Sequence, residues 1–273
     1  MKTVKLLGNG IGDEEKGSFS EGFVDVAYVV RKGHAVCGDS AFAYVDDRKA
    51  VVAVFDGVSG EPGAEEASSI AALAMLNHLK GIDSPTRNDL QESLVNAHAN
   101  VIVGYTTATI AVVEKGGRFI CASVGDSTIY SLGKNNRMKL ELEPMRTVGK
   151  GTQADEFIFQ RMVVPSALGL DADMQILMRE GKLGDGDILL VMTDAVMDNL
   201  RIKLKAGKVA DISGLEDLKL IIGDASGTAA IVNRVRDEIV RRMKARFDIR
   251  EEGSMLVSKL DDLAIVGLRF KKA

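Results

Sequence analysis

Long hydrophobic runs are missing from this sequence. No apolar stretch approaches the roughly 20 residues that span a bilayer, and the start MKTVKLLGNGIGDEE has neither the apolar core nor the small-residue cleavage pattern of a secretory leader. A large charge excess is missing as well. The 35 Lys and Arg stand against 39 Asp and Glu, a net charge of −4, so the composition advertises neither nucleic acid nor a membrane as partner. Cysteine is scarce: Cys37 and Cys121 lie in apolar or small-residue surroundings and build no disulfide framework, which fits a reducing compartment. A soluble cytoplasmic protein is expected. Neither a Gly-x-Gly-x-x-Gly fingerprint nor a Walker A sequence occurs, which leaves out two familiar Gly-rich phosphate cradles. No internal repeat, low-complexity tract or Pro/Gly/Ser linker divides the chain, so one domain over residues 1–273 is expected.

What is present is material for a large core, with 46% hydrophobic and 27% charged residues. GFVDVAYVVR, AFAYV and VVAVF read as three strands, the first two flanking a turn-rich RKGHAVCGDS. Apolar positions Ala67, Ile70, Leu73, Ala74, Leu76 and Leu79 recur at helical spacing over Gly63 to Lys80. A second helix is expected from about Pro85 to Val103, with Ser84 as its N-cap. TTATIAVVEKGGRFICASVGDSTIYSL reads as an antiparallel meander of three short strands. Residues 141–166 follow neither period and are expected to form a long loop or flap. DILLVMTD is a further strand, LEDLKLIIGD and SGTAAIVNRVRDEIVRRMKARF read as helices with Ser226 or Thr228 as a cap, and LAIVGLRF closes the chain as a strand. Helices grouped between strand runs predict an α+β layered domain built on antiparallel sheets.

Strand-like runs in this chain repeatedly meet a carboxylate. Asp56 ends VVAVFDG, Asp126 ends ICASVGDS, Asp194 ends ILLVMTDA, Asp261 precedes the last strand in LDDLAIV, and Asp39 in CGDS precedes AFAYV. Any one of these reads equally as a solvated turn. Carboxylates at strand ends can also converge on one rim of a sandwich, where they repel unless a cation neutralises them, and such hard oxygen ligands suit Mg2+ or Mn2+.

Taken together and in order, these segments resemble the metal-dependent protein phosphatases, the type 2C Ser/Thr family. CGDS matches the first acidic motif, FDGVSG the Asp-Gly-x-Gly-Gly motif, YTTATIAVV the Gly-Thr-Thr-Ala strand and SVGDSTIYSL the Gly-Asp-Ser-Arg motif. SALGL matches a short Leu-Gly element, LVMTDAVMDNL the Ser/Thr-Asp-Gly motif and DDLAIV the closing Asp-Asp/Asn-x-Thr motif. The shortened Gly-Asp motif is similar to that of the bacterial sporulation and stress-response branch. The resemblance implies an αββα sandwich of two packed antiparallel β-sheets flanked by helices, with two Mn2+ or Mg2+ ions at one end. Asp56 would bridge both ions and the Gly57 carbonyl would bind one. Asp194 and Asp261 would complete the more buried ion, Asp39 would orient metal-bound water, and Asp126 with Asp194 would hold a third, weaker ion. A metal-bridging hydroxide would attack the phosphorus of a phosphoserine or phosphothreonine in a phosphorylated protein substrate.

Three departures touch this implied site. The position five residues before Asp39, where the family carries a phosphate-clamping Arg, is His34; Arg31 and Lys32 lie close by, and any of the three is a candidate clamp or a plain surface charge. Val58 follows the Asp-Gly pair where some relatives have a His, and His78 and His98, on expected helices, are given no catalytic role. Ala195 and Ala264 replace the Gly after Asp194 and the closing Thr, and Ala at a position of positive φ would displace Asp194. A second reading is a catalytically silent relative that keeps the fold as a binding or regulatory module.

Overall fold

A computed structural model describes residues 1–134, 137–161, 163–170 and 173–272. In chain order the elements are β1 (Lys2–Leu6), β2 (Glu14–Glu21), β3 (Val24–Arg31), β4 (Ser40–Val45), β5 (Lys49–Phe55), α1 (Ala64–Lys80), α2 (Arg87–Asn100), β6 (Ala108–Glu114), β7 (Arg118–Val124), β8 (Thr128–Leu132) and β9 (Met138–Leu142). They continue with α3 (Ala154–Gln160), β10 (Leu177–Lys182), β11 (Ile188–Met192), α4 (Asp194–Met197), β12 (Ile202–Lys205), β13 (Lys208–Asp211), α5 (Leu215–Ile222), α6 (Thr228–Ala245), β14 (Asp248–Glu251), β15 (Ser254–Val257) and β16 (Leu263–Phe270). Among the described residues no helix is long and apolar enough to cross a membrane.

Two six-stranded antiparallel sheets carry the fold, one in the order β1-β4-β5-β6-β7-β10 and the other β2-β3-β16-β11-β8-β9. Their facing sides share a core that includes Val52, Val54, Ala111, Val191 and Val266. Helices α1 and α2 cover the outer face of the first sheet through Ala67, Met75, Leu90 and Leu94 against Phe55 and Ile110. Helices α5 and α6 cover the second through Leu218, Val235 and Ile239 against Val29, Leu190 and Ile265. The result is the expected α+β sandwich, with two packed antiparallel sheets between helical layers. A strand buried on both faces cannot alternate, which is why every residue of β5 is buried and VVAVF is continuously apolar.

The local expectations need correction in several places. Helix α2 starts later than Pro85: Thr86 caps it and forms a reciprocal capping box with Asp89, while the Ser84 hydroxyl donates to Glu114 instead. Gly227 is the N-cap of α6, and neither Ser226 nor Thr228 caps it. The meander is split, because β6 and β7 pair in the first sheet whereas β8 pairs with β9 and β11 in the second. Gly125 makes this crossover, with a φ of +100° that favours glycine. The 141–166 segment is not loop throughout. It contains the end of β9 and all of α3, and Phe157 of α3 packs with Ile202, Val209 and Met255 of a third, four-stranded sheet in the order β13-β12-β15-β14. Residue 162 of that segment lies outside the described residues.

Candidate active site

The acidic residues collect where the chain leaves or crosses between the two sheets at one end of the sandwich. Asp56 follows β5, Asp126 lies in the β7-to-β8 crossover, Asp194 opens α4 one residue after β11, Asp39 immediately precedes β4, and Asp261 lies two residues before β16. Backbone contacts fix Asp56: its carbonyl accepts from the Thr107 N–H at 2.8 Å and the Thr106 hydroxyl at 2.9 Å, and its own N–H donates to the Thr107 hydroxyl at 3.2 Å. Gly57 next to it sits where no other residue fits, since an added Cβ would lie 2.6 Å from the Ala64 carbonyl oxygen and 2.7 Å from that of Gly38. The abrupt Asp-Gly stop is therefore a site of close backbone approach between β5, α1 and the loop that carries Asp39.

Asp39 is buried, and its Oδ2 accepts from the Thr193 hydroxyl at 2.9 Å, which in turn accepts from the Ala264 N–H at 3.0 Å. Thr193 thus couples Asp39 to the start of the Asp194 turn. Asp56, Asp126 and Asp194 each offer a carboxylate oxygen, and the three atoms lie within 4.8 Å of one another; Asp56 is half-buried and the other two are buried. Both oxygens of Asp126 and Oδ1 of Asp194 have no hydrogen-bond partner. Buried carboxylates without donors are rare in folded proteins. An all-oxygen donor set with unpaired charge fits a hard divalent cation, and this one cluster can coordinate one metal ion.

The electrostatics carry the same signature. Burial, then the charge of Asp194, push the Asp126 carboxyl up to about 8, against the opposing pull of Arg146. Burial and the charges of Asp194, Asp39, Asp261 and Asp126 hold Asp56 well above the usual carboxylate range. Burial and the neighbouring Asp262 and Asp261 do the same to Asp39, and burial with Asp194 brings Asp261 to about 6. Burial works to raise Asp194 too, but the Lys259 ammonium and the shared contact with Asp56 outweigh it, and Asp194 stays far below the usual range. In the absence of cations these groups cannot all ionise together.

Four participants were not singled out from sequence. Asp262 holds the 33–38 loop: its Oδ1 accepts from the Gly33 N–H at 2.6 Å and the His34 N–H at 3.2 Å, and its Oδ2 from the Gly38 N–H at 2.6 Å. Arg146, from the irregular segment after β9, is buried against Asp198 at 2.7 Å. Asp198 stands four residues after Asp194, one helical turn on. The ammonium of Lys259 lies 2.8 Å from Asp194, 2.7 Å from Asp261 and 3.4 Å from Asp198. The signal for Asp198 was its i, i+4 spacing from Asp194; Lys259 and Arg146 carry no local signal.

The candidate clamps separate. Arg31 faces Glu14 at 3.5 Å and Lys32 faces Asp13 at 3.1 Å, both partly exposed. His34 alone of the three reaches the acid cluster, with Nδ1 3.7 Å from Asp262 and 3.9 Å from Asp261. The concern about Ala195 falls away. It is a buried residue of α4, and the non-glycine residues with positive φ among those described are Ala206 and Arg246. His78 and His98 belong to α1 and α2.

Comparison with known proteins agrees with this geometry. The sequence profile of the family described as Protein phosphatase 2C matches residues 30–211. The "Probable protein phosphatase 2C 1" of Oryza sativa subsp. japonica is 24% identical over 245 residues, which cover 86% of this chain and 70% of that protein. Among solved structures, RsbX in complex with magnesium superposes with a TM-score of 0.60 at 14% identity, covering 94% of this chain and 100% of that one. The photosystem II phosphatase PBCP gives 0.65 at 20% identity, over 92% and 100% of the two chains. The Mycobacterium tuberculosis serine/threonine phosphatase PstP/Ppp gives 0.63 at 17% identity, over 91% and 99%. At these identities the superpositions show a shared fold, whereas the profile covers more than half of the chain and ends within β13, after the Asp194 turn. On that match, and with the acid cluster that the family's chemistry needs, the chain belongs to the protein phosphatase 2C family of metal-dependent protein serine/threonine phosphatases.

Proposed function

We propose that Asp56, Asp126 and Asp194, together with the Gly57 carbonyl, would hold two divalent ions, Mg2+ or Mn2+. The observation that carries this reading is the set of buried, unpartnered oxygens on Asp126 and Asp194 facing Asp56. Divalent ions held there would lower the pKa of water toward neutrality and offset the charge of a phosphate ester. The chain's own residues supply the rest. Asp39, fixed by Thr193, is placed to hold a proton at Oδ1 at the edge of the cluster, and half-buried Asp56 marks the side open to substrate. Asp261 and Asp262 lie beside Asp39, with Asp262 Oδ2 accepting from the Gly38 N–H at 2.6 Å. His34 stands at that rim, and with Arg31 and Lys32 three and two residues earlier it forms the candidate contact for the substrate phosphate. Val58 after Gly57 offers no acid to the leaving group, so that proton comes from solvent.

The substrate class proposed is a phosphoserine or phosphothreonine side chain in a cytoplasmic protein, in keeping with two free, buried cysteines. The whole chain is read as one domain. The test is phosphate release from matched phosphoserine, phosphothreonine and phosphotyrosine peptides, with Mn2+ and with excess EDTA. Turnover of the first two with Mn2+ alone is expected, and equal rates with EDTA would reject the reading.

A further inference from the structure

Lys259 has an unusual position for a lysine. Its ammonium lies among three carboxylates, two from the α4 turn and one two residues along its own segment, with contacts of 2.8 Å to Asp194 Oδ2, 3.4 Å to Asp198 Oδ2 and 2.7 Å to Asp261 Oδ2. An ammonium has three donors, and here every near acceptor is an acid oxygen. Its backbone is also built into place. The Asn199 side chain accepts from the Lys259 N–H at 3.1 Å and donates to the Lys259 carbonyl at 2.9 Å, while the same amide donates to the Ala195 carbonyl at 2.8 Å. One buried asparagine thus ties the start of the Lys259 side chain to the turn that carries Asp194 and Asp198.

The consequence lies in what the acids have left to offer. Both oxygens of Asp261 are engaged, Oδ2 by the Lys259 ammonium at 2.7 Å and Oδ1 by the Asp262 N–H at 3.0 Å. Asp194 is divided, with Oδ2 accepting from Lys259 at 2.8 Å and Oδ1 left without a partner. Among the described residues, the group of carboxylates close enough to share an ion is accordingly Asp56, Asp126 and Asp194, without Asp261.

We propose that the Lys259 ammonium is a built-in cation that takes the place of the divalent ion Asp194 and Asp261 would otherwise share, leaving metal to bind only on the Asp56 side. A lysine suits this task because its charge is compact and carries several donors, so it occupies the volume of a small cation while adding no open coordination position. The lysine fixes one member of the cation set permanently, and the chain needs one divalent ion fewer to neutralise Asp194, Asp198 and Asp261. This inference rests on the reading of the cluster as a divalent-metal centre.

The test counts metal. Wild-type protein and Lys259→Met are titrated with Mn2+ by calorimetry and by the loss of the free-ion electron paramagnetic resonance signal, with melting followed across the same titration. Lys259→Met should bind one more Mn2+ per chain than wild type. Without metal it should melt below wild type, since Asp194 and Asp261 lose their counter-charge, and added Mn2+ should raise its melting temperature by more. Equal stoichiometry and an equal melting response would overturn the proposal. A second measurement, on wild type alone, covers the case in which the variant does not fold. The slowly exchanging ammonium nitrogen resonance of Lys259, assigned by its absence in Lys259→Arg, should persist at saturating Mg2+, and its loss on adding Mg2+ would equally overturn the proposal. If neither protein binds Mn2+, the metal-centre reading fails and the lysine proposal with it.

Discussion

Asp126 offers a test in which stability and activity move in opposite directions. It is buried, both of its oxygens lack donors, and burial beside Asp194 brings its carboxyl to about 8. In the unfolded chain the same group titrates near 3.9. Because the folded-state value is the higher one, the stability it contributes is fully present below about pH 4 and is lost as pH rises toward about 8. At pH 7 the metal-free chain pays for protonating a group that water would leave ionised, which at about 1.36 kcal/mol per pH unit costs roughly 4 kcal/mol. Asp126→Asn keeps the shape and removes the titration. Allowing for desolvation of the amide, the metal-free variant should gain about 2–4 kcal/mol at pH 7, which corresponds to roughly 5–15 °C in melting temperature for a chain of this size. The gain should shrink to nothing near pH 4, and saturating Mn2+ should stabilise wild type more than the variant. Turnover should nonetheless be mostly lost, because a metal-facing carboxylate is gone. Thermal melts with and without Mn2+ at pH 4, 7 and 8, alongside activity per folded molecule, measure all of this. A metal-free Asn variant no more stable than wild type, or one that keeps full activity, would refute the reasoning.

Metal binding should also release protons: with Asp126 at about 8 and Asp56 raised, Mn2+ loading at pH 7 should expel at least about one proton per chain. Calorimetry in buffers of different ionisation heat reads this directly, and a buffer-independent heat would contradict it. Gly57→Ala should destabilise the fold by about 1–3 kcal/mol and reduce turnover, since its methyl would meet the backbone oxygens of Ala64 and Gly38; unchanged melting and activity would count against the close approach. Replacement of Arg31, Lys32 or His34 by Ala should raise KM more than it lowers kcat if that residue binds the substrate phosphate. Steady-state kinetics identical to wild type in all three would return the segment to ordinary surface.

Much of the site was legible because its acids sit at places where a strand signal stops. Asp56, Asp126 and Asp194 each follow a buried apolar run, and burial on both faces makes such runs conspicuous even without alternation. The same runs predicted an α+β layered domain on antiparallel sheets, and the resemblance to the type 2C family implied the two packed sheets with their helical layers. The elements that escaped are half-exposed or short. In β2 half-buried and exposed positions mix along EEKGSFSE with none buried, and β12 to β15 are four residues each, with sequences such as IKLK and DIRE whose charges mask any apolar period. Split pairing of the meander depends on Gly125 turning the chain into the other sheet, a tertiary choice that a Gly-Asp pair does not distinguish from a hairpin. Lys259 and Arg146 were invisible for a related reason. A lysine in SKLDD and an arginine in EPMRT read as surface charge, and only the fold brings them to acids more than fifty residues away.

The central claim is that carboxylates gathered around Asp56 turn bound divalent metal into phosphoester hydrolysis. The most direct measurement is phosphate release from a phosphothreonine peptide by wild type and Asp56→Asn across a Mn2+ titration, with circular dichroism on the same samples. Wild-type activity should rise from background with Mn2+ and saturate, whereas the folded Asn variant, whose neutral amide brings no charge to a divalent ion, should stay at background throughout. A folded Asp56→Asn protein that turns over substrate at the wild-type rate would contradict the account.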